Sequence, residues 1–346
     1  MLQNILKKIP TRFSTSAEVR ETIIAACKHN SDIATYYNLG ESEQGRSIDA
    51  VIIGSGKKTI SLLAGAHSDE PVGPETLRTF ILEGLPQREN LRPLLQTFRF
   101  VIIPHINPDG EAQNQPWIQQ WPDIGAYLQH AFRERPGRDL EFGYPDMRIE
   151  NRLISQFLEQ YAPFSLHLSL HGMGFSEGPM LLIERHWIEA TRELQSKFIA
   201  YTQNLGLSLH DHDRKGEKGF LYIGPGFTTT PEGKAMQAYF RSRNDEVTAQ
   251  LFHLSSMEYV RNLGGNPLCL VTELPLFIIG RQSPKKPPGI PVDYLDFRNQ
   301  IPELQRRLSN EESIGNIISE FKIQPFDLQT AIRFQLFVIQ LGLDVI

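Results

Sequence analysis

Runs of consecutive apolar residues alternate with amphipathic segments along the chain, up to about residue 280. An apolar run bounded by polar residues predicts a strand covered on both faces. A segment with apolar residues three or four apart predicts a helix. The predicted strands are 48–53, 58–64, 98–104, 164–170, 180–183 and 268–274. The predicted helices are 16–29, 74–85, 146–161, 186–205 and 245–263.

This alternation of strands and helices predicts an α/β fold with an open sheet. In such sheets, ligands bind beyond the carboxyl ends of the strands. Residues 113–145 and 209–231 have no clear period and are rich in Gly and polar residues, so we predict loops there. Long ordered loops in a compact domain usually carry function.

A Pro-rich segment divides the chain of 346 residues near its carboxyl end. We interpret residues 283–294 as a linker. This interpretation predicts a main domain over residues 1–282 and a helical extension over residues 295–346. The last helix is apolar enough that we expect it to pack on the main domain or on a partner chain, so a homo-oligomer could form through the C-terminal helices.

Charge and cysteine content narrow the class of protein. A formal net charge of −5 and the absence of long basic runs argue against nucleic-acid binding. No segment is apolar enough to span a membrane, and the apolar stretch at the start is too short for a signal peptide. Cys27 and Cys269 are too few for a disulfide framework or a cysteine metal site. We expect a cytoplasmic protein with no membrane or nucleic-acid partner.

Candidate metal ligands follow the predicted strands. His67 and Glu70 come directly after strand 58–64, and zinc favours nitrogen and oxygen ligands. The third ligand is His167 or His171, which lie four apart and therefore share a face of their strand. His171 is nearer the strand end, so we favour it and expect His167 to hydrogen-bond within the sheet.

Glu273 interrupts the apolar strand 268–274. An acid there is costly to bury without a partner, which favours a functional role over a simple pairing with an arginine. The segment 210–213, His-Asp-His-Asp, has metal-binding residue types, but its polar flanks indicate a solvated loop. No G-x-S-x-G sequence is present, so a serine hydrolase is not supported.

The chain resembles the zinc carboxypeptidases of the carboxypeptidase A type from about residue 36 to about residue 276. The resemblance is carried by LGESEQGRSI, AGAHSDEPVGPETL, VIIPHINPDG, IENRLISQFLEQYAPFSLHLSLHG and LVTELP. It implies a catalytic domain over residues 1–282 with a mixed sheet of about eight strands flanked by helices. It also implies one Zn²⁺ per chain, held by His67, Glu70 and His171, with Glu273 as general base and acid.

One segment departs from the family pattern. The family has an Asn-Arg pair that grips the terminal carboxylate of the substrate, and here GRDLEFGYP at residues 137–145 has Glu141-Phe142 instead. Because Glu would repel a carboxylate, we expect Glu141 to line a pocket for an amine-bearing or neutral group. Arg133 is our first choice for the cation that stabilises the oxyanion, ahead of Arg135 and Arg138. Tyr222 is a candidate substrate-capping residue.

These residues predict a zinc metallopeptidase or amidohydrolase that uses a metal-activated water to cleave a peptide or amide bond. The missing pair argues against a standard C-terminal carboxypeptidase, so the expected substrate is a peptide or an N-acyl amino compound. One alternative is a zinc deacylase of an N-acyl amino acid, similar to succinylglutamate desuccinylase or aspartoacylase. The other is an inactive metal-binding relative, against which the intact Glu273 argues.

Overall fold

A computed structural model describes residues 2, 6–284 and 287–346. The strands are β1 (Ala34–Glu41), β2 (Ser47–Ile53), β3 (Lys58–Ala64), β4 (Phe98–Ile103), β5 (Leu166–Ser176), β6 (Met180–Ile183), β7 (Tyr222–Gly224), β8 (Phe227–Thr229), β9 (Leu268–Ile279) and β10 (Ile323–Pro325). The helices are α1 (Ser16–His29), α2 (Val72–Gly84), α3 (Arg88–Thr97), α4 (Pro108–Ile118), α5 (Ile124–His130), α6 (Ile149–Glu159), α7 (Arg192–Asn204), α8 (Gly233–Arg241), α9 (Glu246–Ala249), α10 (Ser256–Asn262), α11 (Val292–Ser309), α12 (Gly315–Glu320) and α13 (Leu328–Val345).

The described strands form one mixed sheet. Its order is β1-β2-β4-β3-β5-β9-β6-β8-β7, and β10 also pairs with β9. The central strands β4, β3, β5 and β9 are parallel, whereas β2 and β6 run antiparallel to their central neighbours. The predicted α/β class is therefore confirmed. The sheet has ten strands rather than about eight, since short polar pairings such as β7–β8 leave no apolar run in the sequence.

Apolar side chains from the central strands point alternately into two cores. Leu62 of β3 packs in the core beneath α2 and α13, and Leu63 packs in the core on the other face with α6 and α10. Both side chains are almost completely buried. Burial on both faces explains why β3 has no charged residue after Lys58 and was recognisable in the sequence.

The C-terminal segment is integrated into the main core. Helix α13 is buried along most of its length, and β10 adds a strand to the sheet beside β9. The buried Gln335 of α13 donates to the backbone oxygen of His171 at 3.3 Å and accepts from Thr76 Oγ1 at 2.7 Å. The last helix therefore packs on its own main domain. The boundaries at residues 282 and 295 stay a prediction, and residues 285 and 286 of the predicted linker lie outside the described residues.

Several local predictions differ from the structure. Residues 113–145 were expected to be a loop but contribute most of α4 and all of α5, because Asn107 accepts from Gly110 N at 3.1 Å and caps α4 ahead of Pro108. The predicted helix 245–263 is split into α9 and α10, since Ser255 and Glu258 form a capping box that starts a new helix. None of the helices in the described ranges combines the length and apolar character of a membrane span.

Candidate metal centre

The candidate residues meet where β3 ends, beside the middle of β5 and β9, which continue past their predicted ends at 170 and 274 to Ser176 and Ile279. Ala64, the last residue of β3, is paired with Leu170 of β5, and His171 is paired with Glu273 of β9. His67 and Glu70 lie in the loop that connects β3 to α2. Because β3, β5 and β9 are parallel and adjacent, the loop after β3 brings His67 and Glu70 beside the paired residues of β5 and β9, on the side toward which the three strands run.

Three side chains converge on one point. His67 Nδ1 lies 2.9 Å from Glu70 Oε1 and 3.0 Å from His171 Nδ1, and His171 Nδ1 lies 3.0 Å from Glu70 Oε2. A tetrahedral zinc site with bonds near 2.0–2.2 Å separates its ligand atoms by roughly 3.3 Å. The spacing of these donors is thus close to that of a zinc site, and the two-nitrogen, one-carboxylate set fits the ion.

Glycines allow the close approach of the ligand loop. Gly65 has a φ of +78°, and a Cβ there would lie 2.5 Å from Nδ1 of His105. A side chain at this position would therefore displace His105 or the loop. Gly172 N donates to Glu70 Oε2 at 3.1 Å, which fixes one oxygen of the buried ligand.

Two further carboxylates contact the far sides of the imidazoles. Asp139 Oδ2 lies 3.1 Å from His67 Nε2, and Glu141 Oε2 lies 3.2 Å from His171 Nε2. Both belong to the short 3-10 turn around Leu140–Phe142, which Asp139 caps by accepting from Glu141 N at 2.8 Å. Carboxylates in this position orient metal-ligating histidines and raise their basicity.

The position of Glu141 corrects the expectation that it lines a substrate pocket. Its side chain is buried beneath His171 and also contacts Ser169 and Ser256. It is not among the residues that line the cavity above the candidate metal centre. The sequence did not identify Asp139 as a partner of His67. The only signal for this role was the spacing of two residues between the acids Asp139 and Glu141 in GRDLEF.

The site favours positive charge. Burial opposes a charge on His171, but its hydrogen bonds to Glu141 and Glu70 raise its pKa to about 10. Burial also opposes a charge on His67, and the carboxylates Glu70 and Asp139 nevertheless raise its pKa well above the usual value. Buried carboxylates that stabilise the protonated forms of two imidazoles would also stabilise a metal cation bound in place of those protons.

Glu273 lies at the same strand edge and faces the cavity. Burial raises its pKa to about 7, and the negative charge of Glu70 adds to the shift. A carboxylate with a pKa near neutrality can both accept and donate a proton, which is what a general base and acid requires.

Residues 20–175 match the model of a protein family described as zinc carboxypeptidase. The matched segment contains His67, Glu70 and His171. This chain is a distant member of the zinc carboxypeptidase family. Glu273 lies outside the matched segment, so its candidate role as general base depends on its position beside His171 in the sheet.

Individual relatives are similar over part of their length. Zinc carboxypeptidase A 1 of Drosophila melanogaster is 28% identical over 171 residues, which cover 41% of this chain and 40% of that protein. An inactive metallocarboxypeptidase of Ajellomyces capsulatus is 24% identical over 199 residues, covering 53% of this chain and 30% of that protein. The chain thus spans less than half the length of these two relatives. The crystal structure of thrombin activatable fibrinolysis inhibitor is 12% identical, with a TM-score of 0.50 over 94% of this chain and 75% of that one, and shows a similar fold.

Arg133 reaches the metal centre of this family member. Its Nε donates to Asp69 Oδ1 at 2.7 Å, and its Nη2 contacts Glu70. The side chain is 44% exposed and lines the cavity together with Glu273. Of the other two candidates, Arg138 pairs with Glu43, and neither Arg135 nor Arg138 lines this cavity. Asp69, which orients Arg133, was not recognised in the sequence.

Two other residues considered in the sequence, Tyr222 and His167, do not line the cavity. Tyr222 donates to Asp211 Oδ1 at 2.6 Å and does not line the cavity, so this position does not support a substrate-capping role. His167 is fully buried between Ser61 and Ser256, with ring nitrogens 3.1 and 3.2 Å from their hydroxyls. His167 thus hydrogen-bonds within the core, as expected, and His171 is the residue at the metal centre.

Proposed function

We propose that this chain is a zinc-dependent hydrolase that cleaves a peptide or amide bond. The observation that carries the proposal is the convergence of His67, Glu70 and His171 at a cavity of about 470 Å³, which Glu273 lines together with His67 and Glu70. When bound, zinc would supply Lewis acidity toward the scissile carbonyl and increase the acidity of a water molecule. A cavity of this volume is in the range that holds a small peptide or an acylated amino acid.

The chain's own residues have distinct roles in this proposal. Glu273 accepts the proton of the attacking water and delivers it to the leaving amine, as its near-neutral pKa allows. Arg133, held by Asp69, donates to the oxyanion that develops on the carbonyl. Asp139 and Glu141 keep the two imidazoles oriented, so the donor atoms stay in place during the reaction.

The enzyme is proposed not to be a standard C-terminal carboxypeptidase. The family's carboxylate-binding pair is absent from segment 137–145, and the buried Glu141 cannot replace it. Because Glu141 lies beneath His171 and does not line the cavity, its negative charge gives no reason to expect a substrate with an amine-bearing group. The zinc deacylase alternative differs from the peptidase in its substrate, so hydrolysis of a panel of peptides and N-acyl amino acids separates the two.

Metal content and turnover together test the proposal. The parent should contain one zinc per chain by plasma mass spectrometry, and His67→Ala should lose it. Glu273→Gln should keep the zinc and lose about 10²- to 10⁴-fold in kcat, because only proton transfer is impaired. A parent that binds no zinc would refute the metal centre, and a Glu273→Gln variant as active as the parent would refute the role of the carboxylate. A zinc-bound parent that hydrolyses nothing in the panel would favour the inactive relative.

Cytoplasmic location and self-association through the C-terminal helices remain predictions. Cell fractionation tests the first. Size-exclusion chromatography with light scattering tests the second, with a molar mass of 39.4 kDa expected for a monomer.

A further inference from the structure

Two arginines that do not contact the metal ligands also line the cavity of the metal centre. Arg214 comes from the loop before β7, and Arg298 from α11. Arg214 is half-buried and Arg298 is exposed at the cavity mouth. Within the part of the chain that the structure describes, neither guanidinium forms an ion pair with a carboxylate. Both lie beyond the segment that matches the family model.

Aromatic rings rather than carboxylates hold these arginines. Arg214 Cζ lies 4.3 Å from the ring centroid of Phe220, and Arg298 Cζ lies 5.8 Å from that of Tyr294. Both rings also line the cavity. A guanidinium near a ring face keeps its N–H groups free to donate, and their fork geometry matches a carboxylate.

The nearby acids are engaged elsewhere. Asp211 accepts from the Tyr222 hydroxyl and from Gly289 N, and Asp213 accepts from Lys215 N. Neither aspartate lines the cavity. Neither aspartate therefore pairs with Arg214 or Arg298, and the N–H groups of both guanidiniums stay available to a ligand. Burial is the main cause that lowers the pKa of the adjacent His212 to about 4, and the charges of His210, Arg214 and Arg298 add to the shift.

The charged residues that line the cavity form two groups, which we call its poles. The acids Asp69, Glu70 and Glu273 belong to the metal pole, where Arg133 pairs with the first two. Aromatic rings of the lining connect this pole to α11: the ring centroids of Tyr127 and Phe175 lie 5.6 Å apart and those of Phe175 and Phe297 4.7 Å apart, and Phe297 directly precedes Arg298. A ligand that fills this cavity would place its reacting carbonyl at one pole and an anionic group at the other.

We propose that Arg214 and Arg298 form a subsite that binds a carboxylate of the substrate. The inference rests on the proposed hydrolase function and names its substrate class, an acylated or peptide compound with a negative charge beyond an apolar group. The carboxylate is a free C-terminus or an acidic side chain, and these two sources share the same chemistry. The subsite lies on a loop and a helix distant in sequence from segment 137–145, where the family's carboxylate-binding pair is absent.

Three matched substrates test the subsite on the zinc-loaded full chain. N-benzoylglycyl-phenylalanine carries a free C-terminus, its carboxamide is neutral, and N-benzoylglycyl-glutamic acid α-amide carries only a side-chain carboxylate. Arg214→Gln and Arg298→Gln should each lower kcat/KM for a carboxylate substrate about 10- to 100-fold, mainly through KM, and leave the carboxamide within about twofold. The carboxylate substrate that responds identifies the source of the anion.

Arg243→Gln is the matched control. Arg243 is also near a ring, with Cζ 4.4 Å from the centroid of Tyr239, but it lies outside the cavity. Its substitution should change none of the three rates. Equal losses on charged and neutral substrates, or no loss on any of them, would overturn the subsite.

A binding experiment separates this inference from the proposed function. Calorimetry with zinc-loaded Glu273→Gln measures the affinity for N-benzoylglycyl-phenylalanine, for its carboxamide and for the glutamic acid α-amide without turnover. Preferential binding of a carboxylate ligand that is lost with Arg214→Gln or Arg298→Gln supports the subsite even if the parent hydrolyses no substrate, in which case only the hydrolase function fails. Carboxylate binding that does not depend on either arginine, or no carboxylate binding, overturns the subsite.

Discussion

Replacing Glu141 by Gln tests whether the carboxylate beneath His171 supports the metal centre. Glu141 Oε2 lies 3.2 Å from His171 Nε2 and accepts from Ser169 Oγ at 3.2 Å. Its Oε1 accepts from Ser256 N at 3.2 Å and from Ser256 Oγ at 2.5 Å. Each carboxylate oxygen therefore has two partners, and the side chain is only 5% exposed.

A glutamine has one acceptor oxygen where the carboxylate has two. If that oxygen faces Ser256, the amide N–H groups point at His171 and oppose the ring orientation that directs Nδ1 to the metal. If it faces His171, the amide opposes Ser256 N–H, and a buried donor is left without a partner. Loss of such an orienting carboxylate typically lowers metal affinity about 10- to 100-fold. This corresponds to about 1.4 to 2.8 kcal/mol of binding free energy.

The assay is zinc affinity, measured by competition with a chromogenic chelator, together with thermal unfolding of the zinc-free protein. Glu177→Gln is the matched control, since Glu177 is also buried against an imidazole, with Oε2 2.9 Å from His210 Nδ1, but its partners His210 and Tyr294 are not metal ligands. Both variants should lose stability, and only Glu141→Gln should lose zinc affinity. Zinc affinity in Glu141→Gln equal to that of the parent would refute the orienting role.

Three further predictions concern stability. Gly65→Ala should cost about 1–3 kcal/mol, because of the positive φ and the close approach to His105. In thermal unfolding, the loss of stability in Gly65→Ala should exceed the loss in Gly206→Ala, because Gly206 also has a positive φ but has no atom within 4 Å of an added Cβ. Equal losses in the two variants would contradict this reasoning. Burial lowers the pKa of His105 to about 4, so only the unfolded chain takes up this proton between pH ~6.5 and ~4. The contribution of neutral His105 to the unfolding free energy should therefore be fully present above pH ~6.5 and decrease as the pH falls from ~6.5 to ~4. In denaturant titrations, His105→Gln should reduce the dependence of the unfolding free energy on pH over this range. An unchanged pH dependence would argue against this role of His105. Leu336→Ala, in the fully buried part of α13, should cost about 2–5 kcal/mol in the same titrations, and a loss below about 1 kcal/mol would mean that α13 is peripheral.

Local patterns explain the parts of the fold that were predictable. Strand β3 and helix α1 were predicted with the bounds that the structure has, because an apolar run and a capped amphipathic segment each specify their own element. Helices α4 and α5 were not predicted, since their sequences are rich in Pro, Gln and Gly and their stability comes from packing. The buried Trp117 of α4, for example, contacts Tyr127 of α5 edge to face.

The metal ligands were predictable for a related reason. His67 and Glu70 are three residues apart after a buried strand, and His171 lies within the neighbouring parallel strand β5, so the order of the strands could place them together. The positions of Asp139 and Glu141 beside the two histidines were not predictable, because both acids belong to an irregular segment whose position depends on the turn that Asp139 caps. The same segment suggested a substrate pocket for Glu141, and the tertiary structure places that side chain behind His171 instead.

The pattern of apolar and polar residues was sufficient to predict the α/β class, because each strand and helix depends on residue types that lie close together in the chain. The ligand set and the candidate base followed from the resemblance to the zinc carboxypeptidases. The tertiary structure was needed to show which long-range partners these residues have. It placed Glu141 under His171, Tyr222 outside the cavity, and α13 inside the main core. The inferred role of Arg214 and Arg298 also depends on the tertiary structure. They line the cavity of the metal centre and have no carboxylate partner among the described residues, because segments far apart in sequence pack together there, which no local pattern specifies.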